Sequence, residues 1–378
     1  MATPCFEAGK YFQDGKDILD FCEPKEAACG VFSNISSYKI SGDILFLPYL
    51  PLGVDASFTT SFNINNSPIK FPLIGHMPTF NSVKLIEVQG SYDTIRTTLV
   101  RYSDKITITV DRTLIGQGTE TYTFNSTKFY KGIIPTTFMY EIQAAGGGGS
   151  QGWYNVFLLH GAGGSGGGAG AYALIVNNYS GLRVDLGRYG APSSSSTEDG
   201  GDAADSVVYF KAGTSLRRLI TIGGGKGGKK PSNQRPGSPG EGGIIPTTSQ
   251  PYCRGYINGA AGGKGQSTAD KESPENGLGI SGRVSPYPFD SLKDLYGIER
   301  SFMGGSSGTY GEGLASQAGG GGGASFSGHG GKGGGSQGGF AGWGSSGGLG
   351  SGGGGGDSSN HGGEGGDAFL RIYAGYSA

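Results

Sequence analysis

The stretch M-Y-E-I-Q-A-A-G-G-G-G, Met139 to Gly149, carries the reading of the whole chain. Met139 to Gln143 is strand-like, and from Ala144 onward the side chains almost vanish. Before this point glycine is ordinary and the pattern is that of β-strands; after it glycine dominates. In all, 79 of 378 residues are glycine, and they come in runs. A helix loses about 1 kcal/mol for each interior Gly relative to Ala, so most of the chain cannot be helical. Collagen fails as well. Prolines number only 17, and Gly319 to Gly323 or Gly352 to Gly356 put glycine at every position instead of every third. An aromatic content of 11% and a hydrophobic content of 35% exceed what a solvated linker carries, so an ordered, mostly non-helical protein is expected.

Upstream of Ala144, K-I-T-I-T-V at Lys105 to Val110 sets Ile106, Ile108 and Val110 on one face and two threonines on the other, the period of a half-buried strand. Val83 to Val88, Thr94 to Tyr102 and Glu120 to Phe124 are similar, with turn residues at Ser103-Asp104 and Gly116 to Gly118. This spacing predicts an antiparallel β-sandwich over residues 31–137, an attachment domain, preceded by an N-terminal arm at residues 1–30. That arm carries Asp14, Asp17, Asp20, Glu23 and Glu26 and a helical turn around Asp17 to Cys22.

Downstream, residues 138–378 form a glycine-rich domain. Strand-like pieces interrupt it at Ala171 to Val176, Leu182 to Leu186, Ser206 to Phe210, Leu216 to Ile222 and Ala368 to Tyr373, which suggests a second sandwich. Between them lie the runs around 146–149, 161–170, 223–228, 319–323, 328–339 and 347–366. Glycine backbones in polyproline II geometry can approach closely and exchange N–H to C=O bonds, so these runs are expected to pack as a bundle. An inserted loop region at 229–318, richer in Pro, Ser and Tyr and with a short helix at Asp290 to Leu295, reads as the element that carries recognition. The hexapeptide G-I-I-P-T-T occurs at Gly132 to Thr137 and again at Gly243 to Thr248, two similar extended turns.

Charge and motifs narrow the function. With 29 basic and 30 acidic residues the net charge is -1, which favours neither nucleic acid nor an anionic membrane. No apolar run reaches the length of a membrane span, and Met1 to Gly30 lacks the basic end and apolar stretch of an export signal. Cys5, Cys22, Cys29 and Cys253 are too uneven for a disulfide framework and read as free thiols, with a Cys22/Cys29 pair as the sharper alternative. Gly223 to Lys229 has the spacing of a phosphate-binding loop, but Lys230 stands where Ser or Thr must hold Mg²⁺ and Pro231 denies the helix. G-x-S-x-G at Gly163 to Gly167 and at Gly304 to Gly308 lacks the strand and helix of a nucleophile elbow. His76, His160, His329 and His361 are far apart, without a second metal ligand. Asp199, Asp202 and Asp205, three apart, would share one edge of a polyproline II segment, where they either hold Ca²⁺ or, as favoured, face solvent. Trp153, Trp343, Phe326 and Phe340 are expected to cap the glycine bundle, with exposed platforms as the alternative. No catalytic, cofactor-binding or metal residues are assigned, and no enzyme is expected.

The order of motifs from Phe138 to Tyr376 adds a resemblance. A strand runs into A-A-G-G-G-G at Ala144 to Gly149; then come G-A-G-A-Y at Gly168 to Tyr172, N-x-x-S-G-L-x-V-x-L-G ending at Gly187, L-I-T-I-G-G-G-K-G-G at Leu219 to Gly228, G-G-G-G-G-A-S-F at Gly319 to Phe326, and E-G-G-D-A-F-L-R-I-Y at Glu364 to Tyr373. This resembles the glycine-rich modules of bacteriophage tail-fibre proteins and adhesins, and the glycine-rich extracellular region of anaplastic lymphoma kinase and leukocyte tyrosine kinase receptors. The resemblance implies a tumour-necrosis-factor-like β-sandwich interleaved with a polyproline II bundle, often trimeric, used for recognition at a surface. The receptor cysteines are represented only by Cys253, and no kinase part is present, so receptor biology does not carry over. The expectation is a non-enzymatic virion structural or fibre protein on the particle surface, a homo-oligomer whose partners are other virion proteins and a host receptor or glycan. The alternative is a purely structural minor capsid, vertex or filament subunit with the glycine bundle as a rigid spacer.

Overall fold

The computed structural model describes residues 83–91, 93–113, 116–129, 132–155, 160–212, 215–232, 235–267, 273–284, 298–307, 317–335, 344–357 and 360–375, together with six short strands before residue 83. Those six pair as three hairpins: β1 Phe12–Gln13 with β2 Lys16–Asp17, β3 Lys39–Ser41 with β4 Ile44–Phe46, and β5 Thr59–Ile64 with β6 Ser67–Pro72. The helical turn expected around Asp17 to Cys22 lies outside the described residues, save that Asp17 ends β2; the helix at Asp290 to Leu295 lies wholly outside them.

The protein is mostly β, built on two antiparallel sheets that face each other. Four more strands lie between residues 83 and 125: β7 Val83–Gln89, β8 Ile95–Arg101, β9 Lys105–Asp111 and β10 Thr119–Asn125. The chain continues through β11 Thr137–Gln143, β12 Trp153–Asn155, β13 His160–Ala162, β14 Tyr172–Asn177, β15 Gly181–Leu186, β16 Ser206–Ala212 and β17 Ser215–Ile222. It closes with β18 Gly255–Ile257, β19 Ile280–Val284, β20 Ile298–Phe302 and β21 Phe369–Gly375. One sheet has the order β10-β9-β8-β15-β16-β17 and the other β18-β14-β11-β21-β7.

This order corrects the expected division at 137/138. The strands between residues 83 and 125 do not form a sandwich of their own: β8 bonds to β15, β7 bonds to β21, and one core takes residues from both halves of the chain. The alternation in K-I-T-I-T-V sets which side chains are buried, and Ile106, Ile108 and Val110 are indeed inside. It carries no information about which strand lies alongside. Ile95, Leu99, Val184, Val208 and Ile220 come from one sheet and Phe138, Tyr140, Ile142, Ile175 and Leu370 from the other. Each such side chain contributes about 1.5–3 kcal/mol by leaving water.

Strand β11 is largely buried on both faces, with Glu141 and Gln143 buried beside its apolar residues. Phe138, Tyr140 and Ile142 enter the main core; the opposite face abuts a second cluster of Tyr172, Leu174, Phe326 and Phe369. Phe326 lies on Tyr172 with ring centroids 4.7 Å apart, as part of this strand-borne apolar cluster. Trp153 is half-buried in β12, while Phe340 and Trp343 lie outside the described residues.

Antiparallel pairing brings the C-terminal ends of β11, β15 and β17 to the same end of the sandwich as the N-terminal ends of β14, β16 and β21. The glycine segments continue from those ends. They bond between segments rather than within them. Segment 144–150 donates to Ala171, Gly168 and Ser165 of one neighbour, to Gly366 and Gly363 of a second and to Gly201 of a third. It accepts from Gly225 and Gly228, from Gly190 and Ser193, and from Gly353 and Gly356, so six segments ring it. The partners recur at every third residue. Segments 163–171, 318–324 and 350–356 are ringed in the same way.

The inserted region at 229–318 is in large part a member of this array and not a projecting loop, a second correction. Gly240 N–H bonds to the carbonyl of Gly166, Gly263 to Gly321, and Gly277 to Gly305, while β18 joins a sheet. Glycines too sparse to read as a run still supply backbone at the needed period. The two G-I-I-P-T-T turns are alike: Ile134 and Ile245 both enter the main core, and Ile133 and Ile244 are both exposed.

A methyl group added at Gly147 would fall closer than 3.0 Å to the carbonyl of Lys226, and one at Gly352 equally close to that of Gly167. We expect Gly147→Ala and Gly352→Ala each to cost at least about 3 kcal/mol, because the obstacle is backbone in a close-packed array. Gly181→Ala, where the nearest atom is Lys211 Cβ at 3.5 Å, should change stability by less than about 1 kcal/mol. Denaturant titrations of the three variants check this; equal losses would refute close backbone packing.

Candidate functional site

Among the described residues, an acidic edge of the glycine array and a cleft at the base of the β19–β20 hairpin combine functional side chains with defined geometry. The edge is built from Asp199, Asp202 and Asp205. Their carboxylates accept the backbone N–H groups of Lys230 (2.8 Å), Gly227 (2.8 Å) and Gly224 (3.1 Å). Period three on one segment thus matches period three on the next, in opposite directions. Lys229 Nζ lies 3.2 Å from Asp199 and Lys226 Nζ 3.5 Å from Asp202. These oxygens are engaged in holding backbone, and no group of residues suited to a metal ion occurs among the described residues. The sequence showed the shared edge; what it hid was the facing row of Gly224, Gly227 and Lys230.

The same segment explains the phosphate-loop spacing of Gly223 to Lys229. Every N–H that such a loop would aim at a phosphate is taken: Gly223 by Ile244, Gly225 by Ala145, Lys226 by Glu241, Gly228 by Gly148 and Lys229 by Ser238, with the aspartates on the rest. Ser165, central in one G-x-S-x-G match, is buried and donates its hydroxyl to the carbonyl of Gly237 at 2.6 Å. Ser150 relays between segments, accepting the N–H of Ser165 (2.8 Å) and donating to Lys229 (2.9 Å).

The cleft encloses about 660 Å³ between segments 276–281, 302–306 and 329–332. Phe302 and His329 form one wall, ring edge to face at 5.0 Å and 79°. His329 Nδ1 accepts the N–H of Met303 at 3.1 Å, which leaves Nε2 to carry the proton of the neutral ring. Met303 and, next to the cleft, Leu278 are exposed, at 73% and 59%. Asn276 Oδ1 accepts the N–H of Ser307 at 2.7 Å, and Lys332 adds one charge. Among the described residues no carboxylate lines the cleft, and His329 is its one imidazole. The arrangement suits binding through an apolar and polar rim.

The remaining expected residues are dispersed. His361 lies elsewhere in the array, the side chain of His160 and the whole of His76 are outside the described residues, and so are Cys5, Cys22 and Cys29. Cys253 is a free thiol whose pKa burial pushes up to about 12, which makes it unreactive. Among the described residues no helix is long and apolar enough to cross a membrane. No protein-family model matches the chain, and no curated protein matches it.

Burial raises the Asp199 carboxyl, but the N–H of Lys230 and the ammonium of Lys229 outweigh it and hold the group below the usual aspartate range. Its stabilising effect is therefore present above the unfolded pKa of about 3.9 and is lost as pH falls through the folded value. Asp199→Asn should flatten the stability profile below about pH 4. Asp202→Ala should cost about 1–3 kcal/mol by stranding the Gly227 N–H, and Asp202→Asn should recover most of that. Melts across pH test both; a stabilising effect of added Ca²⁺ on the parent protein alone would restore the metal reading.

Proposed function

We propose that the chain is a non-enzymatic virion structural protein that presents a recognition element to a host surface, with the glycine segments acting as a rigid polyproline II bundle. The observation that carries this reading is the array itself, in which whole segments are ringed by backbone partners at every third residue. Three residues per turn is the period of polyproline II, and a lone helix of that kind leaves its backbone to water. Among the described glycines only Gly116, Gly118, Gly132 and Gly350 have positive φ, in keeping with this geometry. An experimental structure should place the φ of the array glycines near about −75°; irregular coil there would end the bundle reading.

A stiff base is of use to a binding protein because ordering is settled before the partner arrives. The β19–β20 hairpin and its cleft stand on that base, and repetition of a weak site on a particle would raise avidity without new contacts. The purely structural reading draws on a different observation: an interior without side chains makes a uniform spacer.

Deleting Ser273 to Asp290 would remove array residues such as Gly277, so it cannot separate binding from folding. Val284 pairs with Ile298 across the hairpin, so residues 285–297 can be replaced by Asn-Gly, a two-residue turn. We expect that variant to fold and assemble normally but to attach poorly to host cells. Normal attachment would remove the hairpin as recognition element, and failed assembly of a folded chain would favour the spacer role.

A further inference from the structure

The two sheets have four edges, and three of them carry features that discourage pairing with another chain. Strand β18 is three residues long. Strand β7 has a register shift against β21 and bears Lys84 and Glu87. Strand β17 lies beside a bulge in β16 and bears Arg217 and Arg218. Shortness, bulges and charge are how soluble proteins blunt an edge.

Strand β10 is neither short nor bulged. It is T-E-T-Y-T-F-N, seven residues in unbroken register with β9, with no Lys, Arg or Pro. Its one charge, Glu120, accepts the Tyr122 hydroxyl at 2.6 Å. All but Phe124 are exposed, on both faces, although Glu120, Tyr122 and Phe124 share the face of the buried Ile106, Ile108 and Val110. The strand overhangs the sandwich, and among the described residues nothing covers that face.

The hydrogen-bond phase sets what the open edge offers. Arg112 N–H bonds to Gly118 and Ser126 N–H to Asp104, so the even-numbered residues of β10 pair with β9. Thr119, Thr121, Thr123 and Asn125 therefore direct their N–H and C=O groups outward.

We propose that β10 pairs antiparallel with β10 of a second copy of this chain about a twofold axis at Tyr122. That register sets Thr121 against Thr123 and Thr119 against Asn125 of the second copy, so every outward backbone group finds a partner. Glu120 then opposes Phe124 and never another Glu120, whereas a shift that centred the axis on Glu120 would oppose like charges. The uncovered faces merge into one row with Tyr122 against Tyr122. This twofold contact is distinct from the threefold arrangement implied by the resemblance and does not depend on the proposed function.

The test is the mass of the full chain by sedimentation at up to about 100 μM, a range that detects affinities of ordinary weak dimers. The parent chain should be a dimer. Thr121→Pro removes an outward N–H without touching the β9 ladder, and Thr123→Lys sets two like charges diagonally across the twofold axis; each should weaken dimerisation at least roughly tenfold, with an unchanged melt. Tyr122→Cys should form a 122–122 disulfide, since residues in a non-hydrogen-bonded pair are close enough to bridge, whereas Tyr102→Cys should not. A monomeric parent chain, or an oligomer indifferent to Thr121→Pro and Thr123→Lys, would overturn the proposal.

Discussion

Everything in this protein depends on carbonyl oxygens that occupy the space a Cβ would need. At Gly146, Gly166, Gly319 and Gly365 the nearest obstacle to a side chain is the backbone of another segment, not a flexible group that could move aside. Glycine is thus required here for what it lacks. Each inter-segment hydrogen bond adds only about 0.5–1.5 kcal/mol net, and ordering glycine costs more entropy than ordering any other residue. A single segment could not recover that cost. A ring of six neighbours can, because Gly146 to Ser150 of the central segment then each have both donor and acceptor bonded to other segments.

The sandwich and the array meet at Gln143, and the junction shows how they depend on each other. The side-chain amide of Gln143 donates to the carbonyls of Ala144, Gly170 and Ala171 and accepts from the Ser327 hydroxyl at 3.1 Å. Gly350, with φ at 69°, leaves the space this side chain fills. A buried glutamine thus ends the apolar core and begins the polar, side-chain-free one. Strand pairing sets which glycine segments start side by side, and the array in turn holds the strand ends that would otherwise fray.

Much of the fold was legible in the sequence because alternation and β-branched content mark strands locally. All ten strand segments read from the pattern, from Val83 to Val88 through to Ala368 to Tyr373, are present. What escaped was partnership. The pairing of β8 with β15 joins residues about eighty positions apart, and the facing rows of Asp199, Asp202, Asp205 and Gly224, Gly227, Lys230 run along separate segments. The period of each row could be read; the fact that they oppose could not. The cleft was the least legible feature, since Asn276, Phe302 and His329 show no spacing that links them.

The covalent continuity of strands with array segments has a mechanical meaning. Strand β11 runs without a turn into segment 144–150, and β21 is entered directly from 360–368. A pull along the segments therefore loads lateral hydrogen bonds in shear, many at once, where a pull across a hairpin would open them one after another. Load entering a central segment such as 144–150 is spread to its six neighbours within a few residues, as in a short cable laid from filaments side by side.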